Sequence, residues 1–182
     1  MKHSMPYSLK RVRKLLAPGR KGRSSGVAKK PRVVFDCNVL LQAAARQKSV
    51  AAGCLTLAEE GLVQLFVSKE VLLEIEDVLN RPEVRACFPS LSDEIAGAFL
   101  KRLQNFSDFI SNVPRTFRYS SDEDDESYIN LAIEVSADFI VSRDRDLLDL
   151  MTGYADDCKE FRQRFRTLKV IEPIDLLKEI EG

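Results

Sequence analysis

Three short apolar segments, each followed by a segment with helical periodicity, constrain the fold of this chain most strongly. They are "RVVFD" from residue 32, "LVQLFVS" from residue 62 and "ADFIVS" from residue 137. Each contains a run of adjacent apolar residues, which is typical of strands that are buried on both faces of a sheet. Strands that alternate with helices in this way predict an α/β/α sandwich around a mostly parallel sheet.

The remaining elements follow the same alternation. We predict helices over residues 48–60, from Ser68 to about 80, after Ser92 to about 106, and over 124–136. Short apolar runs at 108–110 and 168–173 predict two more strands, and residues 143–151 and 174–181 predict two more helices.

Residues 1–30 differ from the rest of the chain in charge. They contain ten Lys or Arg and no Asp or Glu, whereas the whole chain has 28 of each sign. Residues 31–182 therefore carry 18 basic and 28 acidic residues, a formal balance of −10. We predict a disordered basic arm over 1–30 and one folded domain over 31–182. Such an arm favours polyanions, RNA above all, although a solubilising segment and an organellar transit peptide are alternatives.

Several classes of protein are excluded by composition. The single histidine, His3, lies in the arm, which argues against Ser-His-Asp or Cys-His catalysis and against a histidine-ligated zinc site in the domain. The four cysteines show no CxxC spacing, as expected for reduced thiols in a cytoplasmic protein. No run reaches the roughly 18 apolar residues of a membrane span, so we expect no membrane association.

Acidic residues follow two of the predicted strands. Asp36 closes the first strand, and Asp144 and Asp146 come directly after "FIVS". Because the carboxyl ends of parallel strands meet at one edge of a sheet, and ligands bind outside that edge, we expect these carboxylates to lie close together.

Five carboxylates in an unbroken row, residues 122–126, precede the predicted helix over 124–136. At about 100° per residue, Asp125 lies near the centre of the apolar stripe of this helix, whereas Glu123 and Glu126 point away from it. The helix dipole explains outward acids, but an inward carboxylate is costly unless something compensates its charge. No Arg or Lys is near in sequence, and a cation is therefore the simplest partner for Asp125.

The helix that begins after Ser68 carries two candidate acids. Glu74 and Glu76 lie on opposite margins of its apolar stripe. Periodicity does not distinguish them, and an acidic margin is more often a solvated face.

Four segments together resemble the PIN-domain family. They are "VVFDCNVLL", "VSKEVLLEIEDVLNRPEV", "DEDDESYINLAIEVSADFIVSRDRDLLDL" and the late "LKVIEP", in that order and spacing. The resemblance covers residues 32 to about 177 and is strongest to the toxin components of bacterial toxin–antitoxin systems. It implies a Mg²⁺- or Mn²⁺-dependent endoribonuclease with a three-layer sandwich. RNA, a small antitoxin protein and a second copy of the chain are the partners that it suggests.

The resemblance also implies the site residues. Its four acidic positions fall on Asp36, Glu74, Asp125 and Asp144, which would be both catalytic and metal-binding. A further acidic position falls on Asp146, also as a metal ligand. Asn38 and Ser142 match polar positions that support the cluster. Cys37 and Ser142 both stand where the family usually has Thr, and residues 153–167 form a longer segment than the family usually has.

Basic residues supply candidate contacts to the RNA backbone. They are Arg11, Arg13 and Lys14 in the arm and Arg162, Arg164 and Arg166 in "RQRFR". Phe161 and Phe165 offer faces for stacking on bases, but their spacing is more typical of the apolar face of a helix.

Two alternatives to a nuclease remain. One is a non-catalytic PIN-like module that binds RNA or a protein through the same residues. The other is a haloacid-dehalogenase-type phosphatase, whose first strand also ends in an "FDxDxT"-like motif; here Asn38 replaces its second aspartate.

Overall fold

The computed structural model describes residues 29–181, in which five strands form one fully parallel sheet. The strands are β1 (Arg32–Phe35), β2 (Gln64–Ser68), β3 (Asp108–Ile110), β4 (Phe139–Val141) and β5 (Lys169–Ile171). Their order across the sheet is β3-β2-β1-β4-β5. The predicted parallel α/β/α sandwich is confirmed, and the predicted disordered arm lies outside the described residues.

Helices cover both faces of the sheet. They are α1 (Cys37–Ala45), α2 (Val50–Glu59), α3 (Lys69–Asn80), α4 (Pro82–Cys87), α5 (Asp93–Phe106), α6 (Glu126–Glu134), α7 (Arg145–Thr152), α8 (Asp156–Arg164) and α9 (Pro173–Glu181). Helix α6 packs across the centre of the sheet against β1, β2 and β4. No helix within residues 29–181 combines the length and the apolar character needed to cross a membrane.

The central strand explains the topology. Val33 and Val34 of β1 are fully buried, and β1 pairs with β2 on one side and with β4 on the other. The chain therefore builds the sheet outward from β1 to β3 and then returns to β1 to add β4 and β5. In open parallel sheets ligands bind where the strand order reverses, which in this sheet is at the carboxyl ends of β1 and β4.

Three helices depart from the predicted pattern. Helix α1 follows β1 at once, because Asp36 ends the strand and its side chain accepts the N–H of Asn38 at the helix start. Helix α4 begins at Pro82, where proline fits the first turn, although the sequence pattern predicts no helix between residue 80 and Ser92. Helix α6 begins at Glu126 and ends at Glu134, so it is shorter than the predicted 124–136.

Candidate active site

Asp36 lies at the switch point of the sheet, directly after β1. Its side chain is buried, with 3% exposed. Oδ1 accepts a hydrogen bond from the backbone N–H of Asn38 at 2.8 Å, and Oδ2 accepts one from the hydroxyl of Ser142 at the end of β4. Burial raises the pKa of Asp36; the bonds from Ser142 and Asn38 oppose this rise, and the nearby charge of Asp144 adds to it.

Ser142 connects Asp36 to the acidic residues that follow β4. It is fully buried, and its hydroxyl oxygen also accepts the backbone N–H of Asp144 at 2.8 Å. The Asp144 carboxylate then caps α7 by accepting the N–H of Asp146 at 3.0 Å. The ends of β1 and β4 are thus tied together through one hydroxyl, as adjacent parallel strands allow.

Asp125 is the residue directly before α6, the helix that packs against β1, β2 and β4. Its side chain is 9% exposed. Although Asp125 is the residue before the first turn of α6, its side chain makes no capping hydrogen bond. Its Oδ2 is buried, and no donor within residues 29–181 reaches it. The helix start therefore does not explain this carboxylate, and its inward direction agrees with the periodicity.

The charge of Asp125 is strongly disfavoured in this position. Burial, followed by the charges of Asp122, Asp144, Asp36 and Asp146 in that order of importance, raises its pKa to about 8. This pKa is far above that of an ordinary aspartate, so the carboxylates lie within electrostatic reach of one another. A positive charge placed among them would remove most of this cost.

Glu126 is not outward, contrary to the prediction from periodicity. Its side chain is 7% exposed. One oxygen accepts the backbone N–H of Tyr119 at 2.8 Å, and the other pairs with Arg115 at 2.6 Å. The segment before α6 folds over this face of the helix and supplies both partners. The bond from Arg115 lowers the pKa of Glu126, so this acid is neutralised by the protein itself.

Glu74 reaches the site from α3. It is half-buried, whereas its rival Glu76 is exposed. Its Oε2 accepts the phenol hydroxyl of Tyr128 on α6 at 2.5 Å. Burial raises the pKa of Glu74, the Tyr128 bond opposes this, and Asp36 raises it again. The structure thus brings Glu74 within electrostatic reach of Asp36, in a group of acids that also contains Asp125, Asp144 and Asp146 and is called the acidic cluster below. Glu76 stays in solvent.

The segment that contains these carboxylates matches a known protein family. The model of the PIN domain matches residues 32–146, which contain the whole acidic cluster. The chain belongs to the PIN-domain family. An uncharacterized protein of Methanocaldococcus jannaschii is similar as well, with 31% identity over 154 residues, covering 84% of this chain and 93% of its own length. PIN domains are generally metal-dependent nucleases. The match is to the family as a whole, and the toxin branch stays a prediction.

The acidic cluster has donor atoms that suit a divalent cation, but its side chains do not form a complete set of ligands. Within residues 29–181, no three Asp, Glu, Cys or His side chains already stand together as a set able to hold a metal ion. The cluster nevertheless offers only carboxylate oxygens, which Mg²⁺ and Mn²⁺ prefer. It also leaves the buried Oδ2 of Asp125 without a donor. The residues therefore fit such a cation in the chemistry of their donor atoms.

The supporting residues of this PIN domain differ from one another in role. Ser142 acts through its side chain, but Asn38 contributes its backbone N–H while its side chain is exposed. Helical periodicity predicts only that Tyr128 lies on the apolar stripe of α6, and it does not predict the contact with Glu74. A signal existed, because a buried tyrosine hydroxyl usually finds a partner. Burial, followed by the charges of Glu74 and Asp36, raises the pKa of Cys37 to about 12, so this thiol stays protonated.

The predicted RNA-binding residues that the structure describes do not lie beside the acidic cluster. Arg11, Arg13 and Lys14 lie outside the described residues. Arg162 donates to the carbonyls of Leu150 and Gly153 at 2.8 Å each, and Arg164 pairs with Glu160. Residues 165–168 precede β5, at the amino edge of the sheet and thus opposite the carboxylates.

Phe161 lies on the buried face of α8, as its spacing predicts, and Phe165 directly follows the last residue of this helix. Phe161 is fully buried, and its ring lies 5.6 Å from that of Phe117 and 5.5 Å from that of Phe165. Stacking of Phe161 on RNA bases is therefore wrong, because its faces are used within the core.

Proposed function

We propose that this protein is a Mg²⁺- or Mn²⁺-dependent endoribonuclease. The observation that carries the proposal is Asp125, a buried carboxylate with one oxygen lacking a donor and with four other acids raising its pKa. The stability of the fold does not explain such a group, because a neutral residue at this position would avoid the free-energy cost of burying a charge. A cation that binds there and takes part in catalysis gives the reason.

Asp36 and Asp125 are the main ligands in this proposal. Glu74 and Asp144 complete the set directly or through water, and Asp146 adds a fifth carboxylate. When bound, the cation would make a water more acidic, orient the phosphodiester and offset the charge on the departing oxygen.

The chain's own residues orient the ligands and accept a proton. Ser142 and the backbone of Asn38 fix both oxygens of Asp36. The phenol of Tyr128 fixes Glu74. Glu74 or Asp144 takes the proton from the attacking water, because no histidine lies in the domain. The raised pKa of Glu74 suits it to this task better than an ordinary glutamate.

Cleavage of a labelled single-stranded RNA tests the proposal. The wild type should cut in Mg²⁺ or Mn²⁺ and not in EDTA, and Asp36→Asn and Asp125→Asn should each lose cutting by at least a hundredfold. Glu76→Gln is the matched control, because it lies on the same helix as Glu74 but in solvent. Folded protein that never cuts would favour the non-catalytic module. Cutting that survives both substitutions would place the chemistry elsewhere. The family match removes the reason for considering the phosphatase.

A narrower proposal concerns biology. As a toxin of the toxin–antitoxin type acting in the cytoplasm, the protein should arrest growth when expressed, and Asp125→Asn should not. A small protein encoded beside it should relieve the arrest. Sedimentation of the purified chain tests whether a second copy binds. This proposal rests on the resemblance to the toxin branch, and growth at a normal rate with active nuclease present would overturn it.

A further inference from the structure

A basic groove lies between α7, α8 and β5, on a domain whose formal charge is otherwise strongly negative. It has a volume of about 530 Å³. Its charged lining residues are Lys159, Arg162, Arg166 and Lys169, and none of the acids in the described part of the chain lines it. Its floor is apolar, formed by Met151, Phe165 and Leu168.

The four cations are not equivalent. Lys159 pairs with Asp156 at 3.1 Å. The two terminal nitrogens of Arg162 donate to two backbone carbonyls and so stabilise the turn between α7 and α8. Among the described residues, Arg166 makes a single long bond, from Nε to the carbonyl of Gln163 at 3.4 Å. Within residues 29–181, the ammonium of Lys169 has no hydrogen-bond or ion-pair partner. Arg166 and Lys169 are both exposed and are thus the two charges available to a ligand.

Helix α7 joins this groove to the acidic cluster. Asp144 caps its start, and Met151 in its last turn forms part of the groove floor. Seven residues at about 1.5 Å each separate the two ends by about 10 Å. A flexible polyanion held in the groove can therefore continue along α7 to the cluster.

We propose that the basic groove binds the backbone of single-stranded RNA at a distance from the acidic cluster. Arg166 and Lys169 contact phosphates, and the half-buried side chains of Met151 and Phe165 offer apolar surface to the neighbouring bases. An acidic protein segment would satisfy the charges equally well. RNA is favoured because α7 leads from the groove to the cluster. The inference rests on the proposed function for the class of substrate.

Binding of a short fluorescent single-stranded RNA, followed by anisotropy in EDTA, tests the groove apart from cleavage. The double variant Arg166→Ala/Lys169→Ala should bind about tenfold more weakly at 0.1 M salt. The slope of log affinity against log salt should fall by about 1.4, since each phosphate contact to a single strand contributes about 0.7. The matched control is Lys48→Ala/Lys101→Ala, which removes two exposed charges elsewhere and should change neither quantity beyond a small long-range effect.

The outcomes separate this inference from the proposed function. Loss of affinity in the groove variant alone supports the groove, even if the wild type never cuts RNA. Equal affinity of groove variant and wild type overturns it, whether or not cleavage is observed. If poly-glutamate binds the wild type but not the groove variant, while RNA binds both equally, the groove takes an acidic protein and the RNA assignment is wrong. A midpoint temperature of thermal unfolding equal to that of the wild type shows that each double variant is folded.

Discussion

Replacement of Asp125 by asparagine should stabilise the protein when no divalent cation is present. Asn keeps the size of the side chain and removes the negative charge that burial and the surrounding acids oppose. This result is unusual, because most substitutions at buried positions destabilise a protein. It follows from a carboxylate whose oxygen has no donor within the described chain.

The size of the effect follows from the pKa of Asp125. A rise from 3.8 to about 8 corresponds to at most about 6 kcal/mol, at about 1.4 kcal/mol for each pH unit. Local rearrangement and entry of water reduce this, so we expect a gain of about 2–3 kcal/mol at pH 8.5. The folded state holds its proton more tightly than the unfolded state, and the cost of Asp125 therefore grows as the pH rises from about 4 to about 8. At pH 5 the gain should fall below about 1 kcal/mol.

Urea unfolding in EDTA at pH 5 and pH 8.5 measures both values. Asp124→Asn is the matched control, because Asp124 lies beside Asp125 in the sequence but is exposed. It should change the free energy of unfolding by less than about 0.5 kcal/mol at either pH. Asp125→Asn that destabilises the protein at pH 8.5, or a gain that is the same at both pH values, would refute the reasoning.

Three further predictions concern the surroundings of the cluster. Glu126→Gln should lower the free energy of unfolding by about 1–2 kcal/mol at pH 7, because the charged bond to Arg115 is lost, whereas Glu123→Gln at an exposed position should leave it unchanged. Since the pKa of Glu126 is lowered in the fold, the difference between the two variants should vanish at a pH below that pKa. A difference that persists there would contradict the pairing of Glu126 with Arg115. Ser142→Ala should weaken Mn²⁺ binding about tenfold or more in a calorimetric titration, because it removes the hydroxyl that orients Asp36; unchanged affinity would deny that role. Removal of the arm, residues 1–30, should weaken RNA binding and flatten its salt dependence in the anisotropy assay. Equal binding would remove the arm from RNA recognition.

The positions of Asp36 and Asp144 were predictable because each follows an apolar strand. Parallel pairing of β1 with β4 then brings their carboxyl ends together, as the sheet rule requires. Helix α1 was not predictable in the same way, since Asp36 both ends β1 and caps the helix. No polar turn marks the boundary, and the helical segment merges with the strand in the sequence.

The surroundings of α6 show where local patterns stop being informative. Periodicity correctly turned Asp125 inward, because that depends only on the helix itself. The same periodicity placed Glu126 in solvent, although Arg115 and the N–H of Tyr119 cover it. Those partners come from a folded-back segment that no helical pattern describes. The choice of Glu74 over Glu76 likewise depended on a distant residue, Tyr128, and only the family resemblance anticipated it.

Binding of Mn²⁺ at pH 8, followed by the paramagnetic signal of the free ion, tests the central claim most directly. Wild type and the neighbouring variant Asp124→Asn should take up Mn²⁺ with the same affinity. Asp125→Asn should bind at least tenfold more weakly while remaining folded. If Asp125→Asn binds Mn²⁺ as tightly as the wild type, the buried carboxylate does not serve a cation, and the account of the acidic row is wrong.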